Sequence, residues 1–106
     1  MGSTGAASEL SFEELKGIVA PIAEKHGVAR IYLFGSRARG DSNENSDYDF
    51  CIVVPKSFDL MDIGSLLGDL KDALGSNVDI VCEDNLHKKP HFMEEMLRDR
   101  RIIFEA

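Results

Sequence analysis

The chain has 106 residues, 19 acidic against 12 basic, and a formal net charge of −7. That length suits one domain with one modest core, and the charge argues against a general nucleic-acid binder, which grips phosphate with a basic surface. With 43% apolar residues, no run near the ~18–20 needed to span a bilayer and no signal-peptide pattern, a soluble cytoplasmic protein is expected, neither disordered nor fibrous.

Residues 1–8 (MGSTGAAS) are small, polar and unpatterned, and read as a frayed terminus or cloning scar, leaving residues 9–106 as a single domain. Ser11 with Glu14 three residues on is a capping box. Leu15, Ile18, Val19, Ile22 and Ala23 then recur at the spacing of one helical face. Pro21 is expected to kink this helix or weaken a turn, and Gly27 to end it. Residues 30–34 (RIYLF) read as a first strand. Residues 35–40 (GSRARG) read as a turn into a short helical segment, and residues 41–46 as a polar loop. Residues 48–54 (YDFCIVV), aromatic and β-branched, read as a second strand stopped by Pro55.

Leu60, Ile63, Leu66, Leu67, Leu70 and Leu74 make a helical stripe closed by Gly75. Residues 78–82 (VDIVC) are a third strand. Pro90 opens a last helix as its first residue, with Phe92, Met93, Met96 and Leu97 as its apolar face. Residues 101–105 (RIIFE) close the chain as a strand. The order α-β-(short α)-β-α-β-α-β predicts an α/β (α+β) domain, one small sheet flanked by helices. Cys51 and Cys82 each sit in an apolar run without CxxC spacing, which predicts buried reduced thiols rather than a disulfide framework or a zinc site.

Three short features bear on chemistry. Gly35-Ser36 follows a strand directly, where glycine lets backbone approach a ligand, a helix start favours phosphate, and Arg37 and Arg39 add positive charge. The same string also serves as an ordinary strand-to-helix turn. Asp47 and Asp49 lie two apart at the start of a strand, on one face and ~6.5–7 Å apart along it. A hard cation such as Mg²⁺ suits such a pair, and so does a solvated strand end. Asp79 lies inside an apolar strand, where it needs either a partner or an edge position with one wet face. The three features meet only in a mixed sheet, with the first two strands antiparallel and the third parallel to the second across a helical crossover.

In order, Gly35-Ser36-Arg37-Ala38-Arg39-Gly40, Ser46-Asp47-Tyr48-Asp49-Phe50 and Val78-Asp79-Ile80-Val81 resemble the signature of the polymerase-β-type nucleotidyltransferase superfamily. The short length and flanking helices are similar to its minimal nucleotidyltransferase (MNT) branch. Phe50 and Tyr48 stand where aliphatic residues are usual, at positions where apolar bulk is wanted. The resemblance implies that Gly35 and Ser36 hold the β- and γ-phosphates of a nucleoside triphosphate, ATP. It implies that Asp47 and Asp49 bind two Mg²⁺ ions, and that Asp79 binds one and acts on the attacking hydroxyl. Arg37 and Arg39 are implied as triphosphate contacts, with Arg39 alternatively tying down the loop.

The resemblance further implies transfer of AMP onto a hydroxyl, foremost a tyrosine of a small helical HEPN ribonuclease toxin, with this chain as the antitoxin. Two alternatives stand beside it: a non-catalytic binding antitoxin, and the catalytic subunit of a small-molecule nucleotidyltransferase. No membrane or bulk nucleic acid is expected as a partner. Apolar surface on the last helix and strand is open to a partner or a homodimer. His87 and His91 are split by Pro90 and too few for zinc, so both read as surface residues. His26 reads as a cation at a helix C-terminus, Met93 and Met96 as core filler, and Lys88-Lys89 as too short for a nucleic-acid patch.

Overall fold

Ser11 Oγ accepts from the Glu14 amide at 3.1 Å, while Glu14 Oε1 accepts from the Ser11 amide at 2.8 Å. This reciprocal cap starts α1 (Phe12–His26) in the computed structural model, which describes residues 10–39, 47–83 and 90–106. Pro21 lies inside α1 without ending it, on an exposed position. Gly27 does end it, with φ 74° and its amide turned back to the carbonyls of Ala23 and Glu24. The remaining elements are β1 (Arg30–Phe34), α2 (Ser36–Arg39), β2 (Tyr48–Val53), α3 (Leu60–Leu74), β3 (Val78–Cys82), α4 (Pro90–Asp99) and β4 (Arg101–Glu105). β2 stops one residue short of the expected Val54, which instead packs against the core as the chain turns at Pro55. The loop read over residues 41–46 lies outside the described residues.

The sheet runs β3-β2-β1-β4. β1 is antiparallel to both β2 and β4, and β2 is parallel to β3. The sheet is therefore mixed, as the meeting of the three motifs requires. α3 makes the crossover between the parallel strands, begun by a second capping box, Asp59 with Asp62, and closed by Gly75 at φ 64°.

α1 and α3 lie together on one face of the sheet. Leu15, Val19 and Ala23 from α1 and Leu66 and Leu70 from α3 meet Ile31, Leu33, Phe50 and Ile52 from the strands. Each fully buried side chain of this size contributes about 1.5–3 kcal/mol. On β4 a bulge opposite Ile31 and Tyr32 breaks the alternation, so Ile103 and Phe104 both enter this core. The other face carries a smaller cluster of Tyr32, Phe34 and Cys51, with Val53 and Val81 packed against it. Above it Arg100 stacks on Tyr32, 3.7 Å from the ring centroid, and its Nη1 meets Glu83 Oε1 at 2.8 Å.

Both cysteines are free, but only Cys51 is buried, its thiol pushed up to about 11 chiefly by desolvation. Cys82, expected to be buried, is half-buried because it ends an edge strand. On α4, Leu97 is 43% exposed, and Ile102 on β4 is 39% exposed. The side chains of Phe92, Met93 and Met96 lie outside the described residues. Among the described residues no helix is long and apolar enough to cross a membrane.

Candidate active site

β1 ends at Phe34, and Gly35 turns the chain into α2 with φ 77°, a region that costs any residue with a side chain. The Gly35 carbonyl accepts from the Ala38 amide at 3.1 Å, and Ala38 is buried in the core, which anchors the turn from below. The antiparallel register sets Phe34 opposite Asp49, so β2 brings a carboxylate beside the turn. A Cβ on Gly35 would stand 2.5 Å from Asp49 Oδ2. The positive φ is what calls for glycine here, and a side chain would in addition make the Asp49 carboxylate swing aside.

The parallel register pairs Asp49 with Asp79. Paired strands lie about 4.8 Å apart and paired residues share a face. The two carboxylates therefore stand side by side on the face away from α1 and α3, at the end of the sheet where Gly35 turns. Asp49 is half-buried and Asp79 exposed. β3 is an edge strand, so the wet-edge reading of Asp79 is the one observed, and no burial cost calls for an ion. What sets it beside Asp49 is the strand register. Asp47 precedes β2 by one residue and is exposed. Among the described residues no three His, Cys, Asp or Glu side chains are gathered closely enough to hold an ion as they stand. The donors on offer are carboxylate oxygens, the type that Mg²⁺ prefers.

Ser36 opens α2 and Arg39 closes it. Their side chains lie outside the described residues, as does Gly40. Arg37 rests on the ring of Tyr48, its guanidinium carbon 3.9 Å from the centroid. Tyr48 alternates with Asp49, so its ring points to the helix-covered face, where it stacks on Phe50 at 6.1 Å and 9°. Tyr48 and Phe50 are 4% and 0% exposed, the apolar role their positions predict. The stack itself has no sequence signal, since Arg37 and Tyr48 are separated by a loop of unpatterned residues.

A second arrangement also went unforeseen. His26, expected as a cation at the end of α1, has Nε2 2.7 Å from Asp69 Oδ2 on α3, and Lys25 Nζ reaches the same oxygen at 3.1 Å. The His26 hydrogen bond, then that of Lys25, holds the Asp69 carboxyl below its ordinary range. This network joins two helices on the far face from Asp49 and Asp79. His91 is exposed, while His87, Lys88 and Lys89 lie outside the described residues. The apolar hollow lined by Val28, Val54, Pro55 and Phe104 is at the opposite end of the sheet from Gly35.

A family model described as Polymerase beta, Nucleotidyltransferase matches residues 16–106. The chain is 35% identical over 97 residues to the MJ0435 protein of Methanocaldococcus jannaschii, a match covering 92% of this chain and 96% of that relative. It is 32% identical over 81 residues to the protein adenylyltransferase MntA of Thermococcus cleftensis, covering 73% of this chain and 82% of MntA. Its fold matches a chain in the solved complex of tri-AMPylated Shewanella oneidensis HEPN toxin with MNT antitoxin. There the TM-score is 0.68 at 17% identity, covering 91% of this chain and 74% of the other.

Proposed function

Because the chain belongs to the Polymerase beta nucleotidyltransferase family, we propose that it moves AMP from ATP onto a hydroxyl of a partner protein, foremost a tyrosine of a small helical HEPN toxin. The observation that carries this reading is the register that aligns Asp49 with Asp79 beside the Gly35 turn. A protein adenylyltransferase among its relatives and an AMPylated toxin held by an MNT antitoxin among its structural matches support the acceptor class.

In the reaction the acceptor oxygen bonds to the α-phosphorus, the bond from that phosphorus to pyrophosphate breaks, and the hydroxyl proton departs. Gly35 and Ser36 would hold the β- and γ-phosphates, close backbone approach being what an absent Cβ permits. Asp47, Asp49 and Asp79 would hold Mg²⁺, two ions in all. Bound there, the metal neutralises charge on the triphosphate and on the departing pyrophosphate. Asp79, exposed on the edge strand, would orient the acceptor hydroxyl and receive its proton. We place the chain in the cytoplasm, where ATP, Mg²⁺ and an RNA-cleaving partner meet.

The test is direct. The chain is purified with a candidate small helical HEPN partner, given Mg²⁺ and ATP, and intact masses are recorded. The partner gains one or more AMP units, and Asp47→Asn with Asp49→Asn abolishes the gain. Full neutralisation of the partner in cells by that double variant would assign the role to binding instead.

A further inference from the structure

We propose that Arg37 and Tyr48 form a positioning pair, in which the stacked guanidinium pins α2 to the first residue of β2 and thereby holds the Gly35 turn against Asp49. α2 spans four residues, and one helical turn has almost no stability of its own. It is held from the core side by Ala38 and, one residue earlier, by Arg37 on Tyr48. Tyr48 is a fixed base for that contact. Its ring is buried and stacked on the fully buried Phe50, and its amide donates to the Asn77 carbonyl at 3.0 Å, tying the start of β2 to the approach of β3.

Tyr48 lies between Asp47 and Asp49, and Arg37 lies two residues after Gly35. The stack therefore joins the phosphate turn to the carboxylate strand next to their closest approach. A planar guanidinium suits this place as an ammonium does not, and an aliphatic residue at position 48 fills the core without offering a ring face. The ring points to the helix-covered face, and the Arg37 guanidinium is engaged on that ring, 3.9 Å from its centroid. Its part is to hold the turn rather than to grip triphosphate.

The consequence for nucleotide binding rests on the nucleotidyl-transfer reading, whereas the pinning of α2 does not. The full chain is compared with Tyr48→Phe, Tyr48→Leu, Arg37→Gln and the double variant Tyr48→Leu/Arg37→Gln. Three readouts are taken: Kd for Mg²⁺ with AMP-PNP by calorimetry, hydrogen exchange of the amides at residues 36–38, and Tm. Tyr48→Leu and Arg37→Gln each weaken binding and speed exchange about three- to tenfold, the range of a partly desolvated cation–π contact. Phenylalanine at position 48, which keeps the ring face, restores both readouts. The double variant is no worse than either single one.

Weakened binding in Arg37→Gln alone, or additive losses in the double variant, would make Arg37 a direct phosphate ligand and overturn the proposal. Unchanged exchange in both single variants overturns it as well. Should Tyr48→Leu fail to fold, Arg37→Gln carries the exchange measurement, since it leaves the apolar core volume intact. A wild-type chain that binds no AMP-PNP sinks the nucleotidyl-transfer reading, and exchange in Tyr48→Leu against Tyr48→Phe still decides the pair.

Discussion

Gly35 and Asp49 approach so closely that a Cβ on Gly35 would stand 2.5 Å from Asp49 Oδ2, and the carboxylate would have to swing aside to admit it. Gly35→Ala adds that clash to a backbone at φ 77°, itself worth about 1–2 kcal/mol. We expect a loss of about 1–2 kcal/mol in urea unfolding, nearly all of it from the backbone. AMP transfer should fall more than that loss accounts for, because Asp49 must shift. An alanine variant with wild-type stability and turnover would remove the steric argument for this turn.

Asp49 and Asp79 are paired in register on one face, and like charges so placed repel. Asp79→Asn should therefore raise stability without Mg²⁺ by about 0.2–1 kcal/mol while reducing AMP transfer on the order of a hundredfold or more. Mg²⁺ should raise the Tm of the wild-type chain and leave Asp49→Asn/Asp79→Asn where it was. Chelation with EDTA should stop transfer altogether. Differential scanning calorimetry with and without the ion checks the first two, and intact-mass assays the rest.

The Asp69 carboxyl is held below its ordinary range by His26 and then Lys25, so its ionised form favours the folded chain. This contribution is fully present above about pH 4, the carboxyl's unfolded range, and is lost as pH falls through the lower folded value. The urea midpoint of the wild-type chain should drop between pH 5 and pH 2.5 more than that of Asp69→Asn, which has no such group to titrate. Identical acid slopes for the two chains would show that the contact contributes nothing.

Cys51 has no exposed surface and its thiol is pushed up to about 11, so little thiolate exists at pH 8 and none of it is accessible. Iodoacetamide should leave Cys51 unlabelled in the folded chain and label it in urea, as peptide masses will record. Rapid labelling without denaturant would place Cys51 outside the core.

The fold was largely legible because its signals are local. Ser11 and Glu14 mark the start of α1, Gly27 and Gly75 end two helices, and the stripe through Leu66 and Leu70 names the face that α3 buries. The meeting of Gly35, Asp49 and Asp79 was legible one step further on, as a condition on strand direction that the sheet satisfies. What escaped were contacts decided by side-chain direction across long separations. His26 and Asp69 lie 43 residues apart, and Arg37 finds Tyr48 only once β2 fixes which face the ring takes. The bulge on β4 escaped too, because Ile102, Ile103 and Phe104 read alike in sequence yet only the latter two turn inward. The exposure of Asp79 follows from β3 being an edge, a fact of sheet order that no single strand carries.

The Ala106 amide donates to the Ala29 carbonyl at 2.9 Å, at the end of the sheet where β1 begins. Gly35 and the carboxylate pair lie at the other end, a strand's length of five residues away, roughly 17 Å. A fluorophore, affinity tag or surface tether attached after Ala106 therefore leaves the approach to Asp49 and Asp79 clear. Immobilising the chain by that end presents the Gly35 turn and the two carboxylates outward.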